Sequence, residues 1–238
     1  MSHHYIQFSD VHYSYPGGGE VLKGITFRVT HGEKVALLGL NGAGKSTLLL
    51  HTNGLLMPTQ GEVNVGDVPV TKKTLPLIRQ TVGMVFQDSD DQLFMPTVAE
   101  DVAFGPMNMR LPKEEVERRV RVSLAAVGAE ELASRSPATL SGGQKKRAAI
   151  ATVLSMEPSI LVMDEPTSGL DASGQRQLVA LLKRFSHTCL IATHDLAVAA
   201  QLCPRSIILK DGRVAWDGRT ANLLDDKETL RHFGILPL

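Results

Sequence analysis

Lys34-Val35-Ala36-Leu37-Leu38-Gly39-Leu40-Asn41-Gly42-Ala43-Gly44-Lys45-Ser46-Thr47 decides the fold. Its first five residues read as a buried strand that feeds a glycine-rich turn, and a helix begins near Lys45 and stops near Gly54. The turn fits the spacing Gly, four residues, Gly-Lys-Ser. Backbone N–H groups in such a turn can ring a phosphate, and the helix behind it aims its positive end at the same place. Gly39, Asn41, Gly42, Ala43 and Gly44 would form the cradle. Lys45 would bridge the β and γ phosphates of ATP, Ser46 would offer its hydroxyl to Mg2+, and Thr47 would contact the α phosphate.

Outward from that loop, residues 5–15 and 21–29 alternate apolar and polar side chains, which predicts two antiparallel strands joined at Pro16-Gly17-Gly18-Gly19. Residues 62–65 read as a short strand and 81–86 as a core strand. From Asp88 to about Pro158 the pattern turns helical. There Val116, Val120, Leu124 and Val127 recur at helical spacing between Pro112 and Gly128, and Glu114, Glu115, Glu117, Arg118, Arg119 and Arg121 read as a solvated face. Strand and helix then alternate: strands at 160–163, 189–192 and 207–209, helices at 172–185 and 195–202, and a hairpin turn at Asp211-Gly212-Arg213. The expected fold is α/β: a mainly parallel sheet with helices on both faces, an N-terminal antiparallel β part, and an inserted helical subdomain. The expected division within a single domain is an ATP-binding core of residues 1–87 and 159–238, with the helical subdomain at 88–158.

A chain of 238 residues can bury a sizeable core, and 43 % apolar with 21 % charged residues is ordinary for a globular protein. A formal net charge of zero argues against bulk attraction to nucleic acid or anionic lipid. No apolar run approaches the roughly 20 residues that cross a bilayer. The start, Met1-Ser2-His3-His4-Tyr5, is too polar for a signal peptide, and His3-His4 reads as a polar chain end. Cys189 and Cys203 have apolar neighbours and read as reduced, buried thiols of a cytosolic protein.

Other groups carry chemistry that the loop alone lacks. Asp164 ends the apolar run Ile160-Leu161-Val162-Met163, so its carboxylate is suited to hold Mg2+. Glu165 follows it and diverges at the strand end, as a general base for the water that attacks the γ phosphate. Ser141-Gly142-Gly143-Gln144 opens a second helix, with Ser141 as its N-cap and glycines that let a ligand approach the backbone. That is a second anion site in a chain with one γ phosphate to offer, so it is expected to face ATP held by another copy. Gln87, where the helical part begins, can ligate Mg2+ or orient water. Asp171, in Ser168-Gly169-Leu170-Asp171, could touch the opposite phosphate loop. His194, expected at a strand end, could donate to the γ phosphate. Tyr15 could stack on adenine.

Together these residues resemble the ATP-binding cassette ATPases, in the family's motif order and over nearly the whole chain. The resemblance implies a RecA-like core, ATP as substrate, Mg2+ as cofactor, and a head-to-tail dimer sandwiching two nucleotides. A finer resemblance lies in Phe86-Gln87-Asp88-Ser89-Asp90-Asp91-Gln92-Leu93-Phe94, in residues 97–106, in Leu140 to Arg147 and in Met156-Glu157-Pro158. These resemble the ATPase subunit of energy-coupling factor importers, which take up vitamins or transition-metal ions, and within them the cobalt and nickel importers. Longer members of that group carry a C-terminal extension that aids dimerisation, whereas the chain stops at Leu238.

The expectation is therefore an ATPase that powers import of cobalt or nickel from the cytoplasmic face of the membrane. It would work as a homodimer, held peripherally by integral subunits that dock near Gln87 and the helical subdomain, with no nucleic acid as partner. One alternative is the ATPase of a vitamin importer. Another is a soluble cassette ATPase acting on DNA or ribosomes, which usually needs a long coiled-coil insertion or two cassettes. An adaptor or kinase using only the phosphate loop would leave Ser141 to Gln144 and Glu165 without a task.

Overall fold

Two periodicities build the molecule, and they segregate into different elements. The computed structural model describes residues 4–235, so the expectations that fall on Met1, Ser2, His3 and Leu238 lie outside the described residues. In chain order come β1 (Ile6–Ser14), β2 (Glu20–Val29), β3 (Lys34–Leu38), α1 (Lys45–Thr52), β4 (Gln60–Val65), β5 (Val68–Pro69), α2 (Leu75–Thr81) and β6 (Val82–Val85). They are followed by α3 (Val98–Asn108), α4 (Lys113–Ala126), α5 (Gly142–Leu154), β7 (Ile160–Asp164), α6 (Ala172–Arg184), β8 (Thr188–Ala192) and α7 (Leu196–Leu202). The described chain closes with β9 (Arg205–Lys210), β10 (Arg213–Arg219), α8 (Thr220–Asp225) and α9 (Lys227–His232). Two compact units result. One holds the described residues 4–82, 159–164 and 186–235; the other holds Gly83–Pro158 and Glu165–Phe185. The second thus includes residues 165–185, which the sequence reading grouped with the core.

In the first unit an antiparallel sheet runs β2-β1-β4-β5, and a mainly parallel one runs β10-β9-β3-β8-β7. The pairing follows burial. β1 alternates buried and less buried positions, as a strand with one apolar face should. Strands β7 and β8 are buried at every position, the mark of parallel strands covered on both faces. Helix α1 packs against β2 and β4 of one sheet and β7 and β8 of the other, so Leu48, Leu49, His51 and Thr52 are wholly buried. Cys189 and Cys203 are free and buried, and burial pushes both thiols up to about 12, so they stay protonated at neutral pH.

In the second unit α3, α4 and α5 pack on one another. The small residues Ala148 and Ala149 of α5 are fully buried, which lets its neighbours approach closely. A capping box fixes the start of α3: Glu100 donates its N–H to Thr97 Oγ1 at 3.3 Å and takes the Thr97 N–H on its carboxylate at 3.0 Å. The face of α4 expected to be solvated is partly engaged within the unit. Arg119 is only 13 % exposed and donates to the Ser155 carbonyl at 3.2 Å, while Arg118 and Arg119 both donate to Glu115. Those two guanidinium groups hold the Glu115 carboxyl down at about 2.

Candidate functional site

In the first unit the chain leaves β3 through the phosphate loop. Gly39 has φ +143°, and a Cβ there would strike the Leu209 carbonyl oxygen; Gly44, just before α1, has φ +101°. Only glycine takes both positions without strain, so the loop can wrap tightly at the mouth of the helix. Lys45 and Thr47 are buried and Ser46 is exposed. The Lys45 ammonium folds back over the loop and donates to the carbonyls of Gly39 at 2.7 Å and Leu40 at 3.1 Å. A cation thus stands beside the positive end of α1, an arrangement that attracts an anion and not another cation.

Neighbouring strands deliver further groups to the same sheet edge. Leu37 of β3 lies opposite Ala192 of β8, and Ala192 lies opposite Asp164 of β7. All three strands are parallel, so the loop, Asp164 and His194 emerge at their carboxyl ends, where open α/β sheets bind ligands. His194 is exposed and lies two residues beyond the end of β8, not at the strand end as expected. Asp164 is 4 % exposed. With the Ser46 hydroxyl on the first turn of α1, which packs on β7, Asp164 gives this unit two oxygen-donor groups for a metal. A hydroxyl and a carboxylate suit a hard dication such as Mg2+.

Behind the loop the Tyr15 hydroxyl lies 3.1 Å from Thr47 Oγ1, and the Tyr15 ring, 41 % exposed, stands edge-on to Tyr13 with centroids 5.0 Å apart. The Tyr15 face is open to a stacking partner, and Thr47 Oγ1 already has the phenol as a neighbour. His51 is wholly buried below and donates from Nδ1 to the Thr47 carbonyl at 2.7 Å; burial lowers its pKa and keeps it neutral.

In the second unit Gln87 is exposed, two residues past β6, and its carbonyl accepts from Lys146 Nζ at 2.7 Å. Glu165, next in the chain after Asp164, is 6 % exposed and has φ +45°. A left-handed backbone at a residue other than glycine costs about 1–3 kcal/mol, and such strain gathers at functional sites. It turns the chain sharply after β7, and the Ser168 N–H closes the turn on the Glu165 carbonyl at 3.1 Å.

The same unit contains a cleft of about 530 Å3 lined by Ser141 to Gln144, Arg147, Gly169 to Asp171, Ser173, Gly174 and Gln177. Two helix starts meet in it. Ser141 caps α5: its Oγ accepts the Gln144 N–H at 3.3 Å, and Gln144 Oε1 accepts the Ser141 N–H at 3.0 Å. Asp171 caps α6, accepting the Gly174 N–H at 2.7 Å. Ser141 and Asp171, far apart in sequence, therefore share one cavity. The Gln144 side chain is committed to the cap. At Gly143 a Cβ would lie 3.0 Å from the Gly169 carbonyl oxygen, which is why the second glycine is needed there. The sequence reading missed Arg147, which lies one helical turn from Gly143 and lines the cleft while donating to the Gly128 carbonyl. The i, i+4 spacing from Gly143 was the available signal.

The sequence profile described as ABC transporter matches residues 22–168. The chain belongs to the ABC transporter family. Its ABC relatives include the energy-coupling factor transporter ATP-binding protein EcfA of Methanocaldococcus jannaschii, 49 % identical over 95 % of this chain and 83 % of the relative. Among solved structures it is similar to CbiO1 of Clostridium perfringens, part of the ABC transporter complex CbiONQ, with TM-score 0.81, 40 % identity, and coverage of 95 % and 93 % of the two chains. It is also similar to the ATP-binding cassette MJ0796, seen as a dimer in a post-hydrolysis state bound to ADP and Pi, with TM-score 0.83, 31 % identity, and coverage of 90 % and 98 %. This chain is thus an ABC ATPase, taking ATP with Mg2+, and its two sheets have the α/β arrangement that the sequence led us to expect.

Proposed function

We propose that this ABC ATPase powers an energy-coupling factor type importer of a transition-metal ion, cobalt or nickel, from the cytoplasmic face of a membrane. The observation that carries the ATPase part is that one unit holds a phosphate loop and the other a complete Ser141–Asp171 cleft. A pair of copies joined head to tail puts each loop against its twin's cleft. In that pair Tyr15 stacks on adenine, and Gly39 to Gly44 and Lys45 hold the phosphates. Ser46, Asp164 and Gln87 would hold Mg2+, which would neutralise phosphate charge there. Glu165 takes a proton from the attacking water and His194 donates to the γ phosphate. The twin supplies Ser141, Gly142, Gly143 and Asp171.

Among the described residues no helix is long and apolar enough to cross a membrane. The proposed anchor is therefore integral subunits, received on the helical unit. Phe94, Phe104 and Met107 stand 64, 42 and 63 % exposed there, and Phe94 and Phe104 meet edge to face at 4.9 Å. Such an apolar cluster is a candidate docking patch. The importer type rests on likeness to EcfA and CbiO1 and on residues 86–94, 97–106, 140–147 and 156–158 of the sequence; the metal is our choice within that type. Co-purification with candidate integral membrane subunits, followed by uptake of labelled Co2+ and Ni2+ in vesicles, tests this. ATP-dependent uptake of either ion is expected; uptake of a vitamin and neither metal would overturn the metal reading.

Lys45→Ala tests the phosphate loop. Loss of a charge-assisted contact is expected to weaken ATP binding by about 10- to 100-fold. Isothermal titration with ATP reads this directly, and unchanged affinity would remove Lys45 from the site.

A further inference from the structure

Lys146 is a cation buried in an unfavourable place. It is 3 % exposed and sits five residues beyond the Ser141 cap, near the positive end of α5, where a lysine works against the helix dipole. Its role is legible in its acceptors. Nζ donates to the carbonyls of Phe86 at 3.2 Å and Gln87 at 2.7 Å. A second tie lies one turn further along. Gln92 Oε1 accepts the Phe86 N–H at 3.2 Å, while Gln92 Nε2 donates to the Ala149 carbonyl and Thr152 Oγ1, both at 2.7 Å. A third, more exposed tie joins Lys145 Nζ to Asp90 Oδ1 at 2.6 Å. Residues 86–92 are therefore fastened to the helix whose first residues line the Ser141 cleft, at several levels and within one unit.

We infer that Lys146 and Gln92 are positioning residues that lock the Gln87 segment to α5, so that a shift of Gln87 on meeting nucleotide displaces the Ser141 helix start with it. The inference deepens the proposed role of Gln87 and rests on that reading. Backbone carbonyls are the acceptors, so the lock grips the main chain and leaves the Gln87 amide available for the nucleotide. It also makes the coupling stiff. A charge-assisted hydrogen bond to a backbone group in a buried setting is stronger than one between neutral partners. Two packed pieces joined this way shift as a body instead of flexing.

The test uses the full-length chain with Lys146→Met, Lys146→Arg and Gln92→Leu. Hydrogen exchange of the amides of residues 86–92 should quicken at least about tenfold in Lys146→Met and Gln92→Leu, while the amides of β3 and β8 keep their parent rates. In hydrolysis assays kcat should fall at least about fivefold, with KM for ATP within about twofold of the parent, and Lys146→Arg should recover most of the loss. Parent-like exchange in both variants, or a rise in KM with kcat intact, would overturn the lock. Should Lys146→Met fail to fold, Gln92→Leu carries the same measurements. Gln87→Ala separates the two readings. Parent-like hydrolysis in that variant removes Gln87 from catalysis, while the exchange data still decide whether the lock exists. If Gln87→Ala is slow, adding Lys146→Met should cost little more; additive losses would show Lys146 acting elsewhere.

Discussion

Glu165→Gln is expected to lower ATP hydrolysis by about 10^2- to 10^4-fold, the usual worth of a positioned proton acceptor. The substitution is chosen to remove one property only. Glutamine keeps the volume of a side chain that is 6 % exposed and can follow the same backbone, whose φ of +45° is strained for either residue. It cannot take a proton from water. Lys45, Ser46 and Asp164 are untouched, so ATP affinity should stay within about twofold of the parent. Binding without turnover has a visible consequence. ATP shifts a monomer–dimer equilibrium only by its differential affinity for the closed pair, and a chain that does not hydrolyse remains in that state. Light scattering after gel filtration with ATP and Mg2+ should therefore give a dimer for Glu165→Gln and a monomer or a mixture for the parent. Hydrolysis within about threefold of the parent would remove Glu165 as the base. Weak ATP binding would instead point to damage in the loop.

The difference between what the sequence revealed and what it hid follows from the length of each signal. The strands β3, β7 and β8 are short apolar runs ending in polar or glycine-rich turns, and each was read from composition within a residue or two. The glycine turn before α1, the Ser141 cap and the end of β7 at Asp164 were legible because glycine and serine at those offsets, and an acid closing an apolar run, are strong local signals. Helices α2, α8 and α9 were not read. They have seven, six and six residues and bury only one or two positions each, whereas the equally short α7, which was read, buries Val198, Ala199 and Leu202. The two-residue β5 is shorter than any alternation. Assembly of the cleft was hidden for a different reason. Ser141 and Asp171 come from two helices separated by β7, and no periodicity reports that their starts converge. Nor does it report the Tyr15–Thr47 contact, which joins β1's end to α1 across more than thirty residues. Nothing in the sequence singled out Lys146 within Leu140 to Arg147. Only its burial and its two carbonyl acceptors set it apart.

Ser141→Arg should abolish most hydrolysis, by about 100-fold, without removing ATP from the chain that carries it. Two effects act together. The cap of α5 is lost, at a cost of about 0.5–2 kcal/mol, and a bulky side chain enters a cleft where even a Cβ at Gly143 would press on the Gly169 carbonyl. Ser141→Ala, which loses only the cap, is the control and should be several-fold milder. The decisive measurement mixes two dead proteins. A chain with Ser141→Arg keeps its phosphate loop, and a chain with Lys45→Ala keeps its cleft. If each active site is built from the loop of one protomer and the cleft of its twin, a mixed pair contains one intact composite site. Random pairing of equal amounts then restores about a quarter of the parent's sites, because half the dimers are mixed and each has one good site of two. If the loop and cleft of a single chain worked together, both kinds of site in the mixed pair would be broken and activity would stay at the level of either variant alone. Recovery on mixing is thus the signature of a site shared between copies, and its absence, with mixed dimers demonstrated by differential tags, would refute the shared site while leaving the phosphate loop in place.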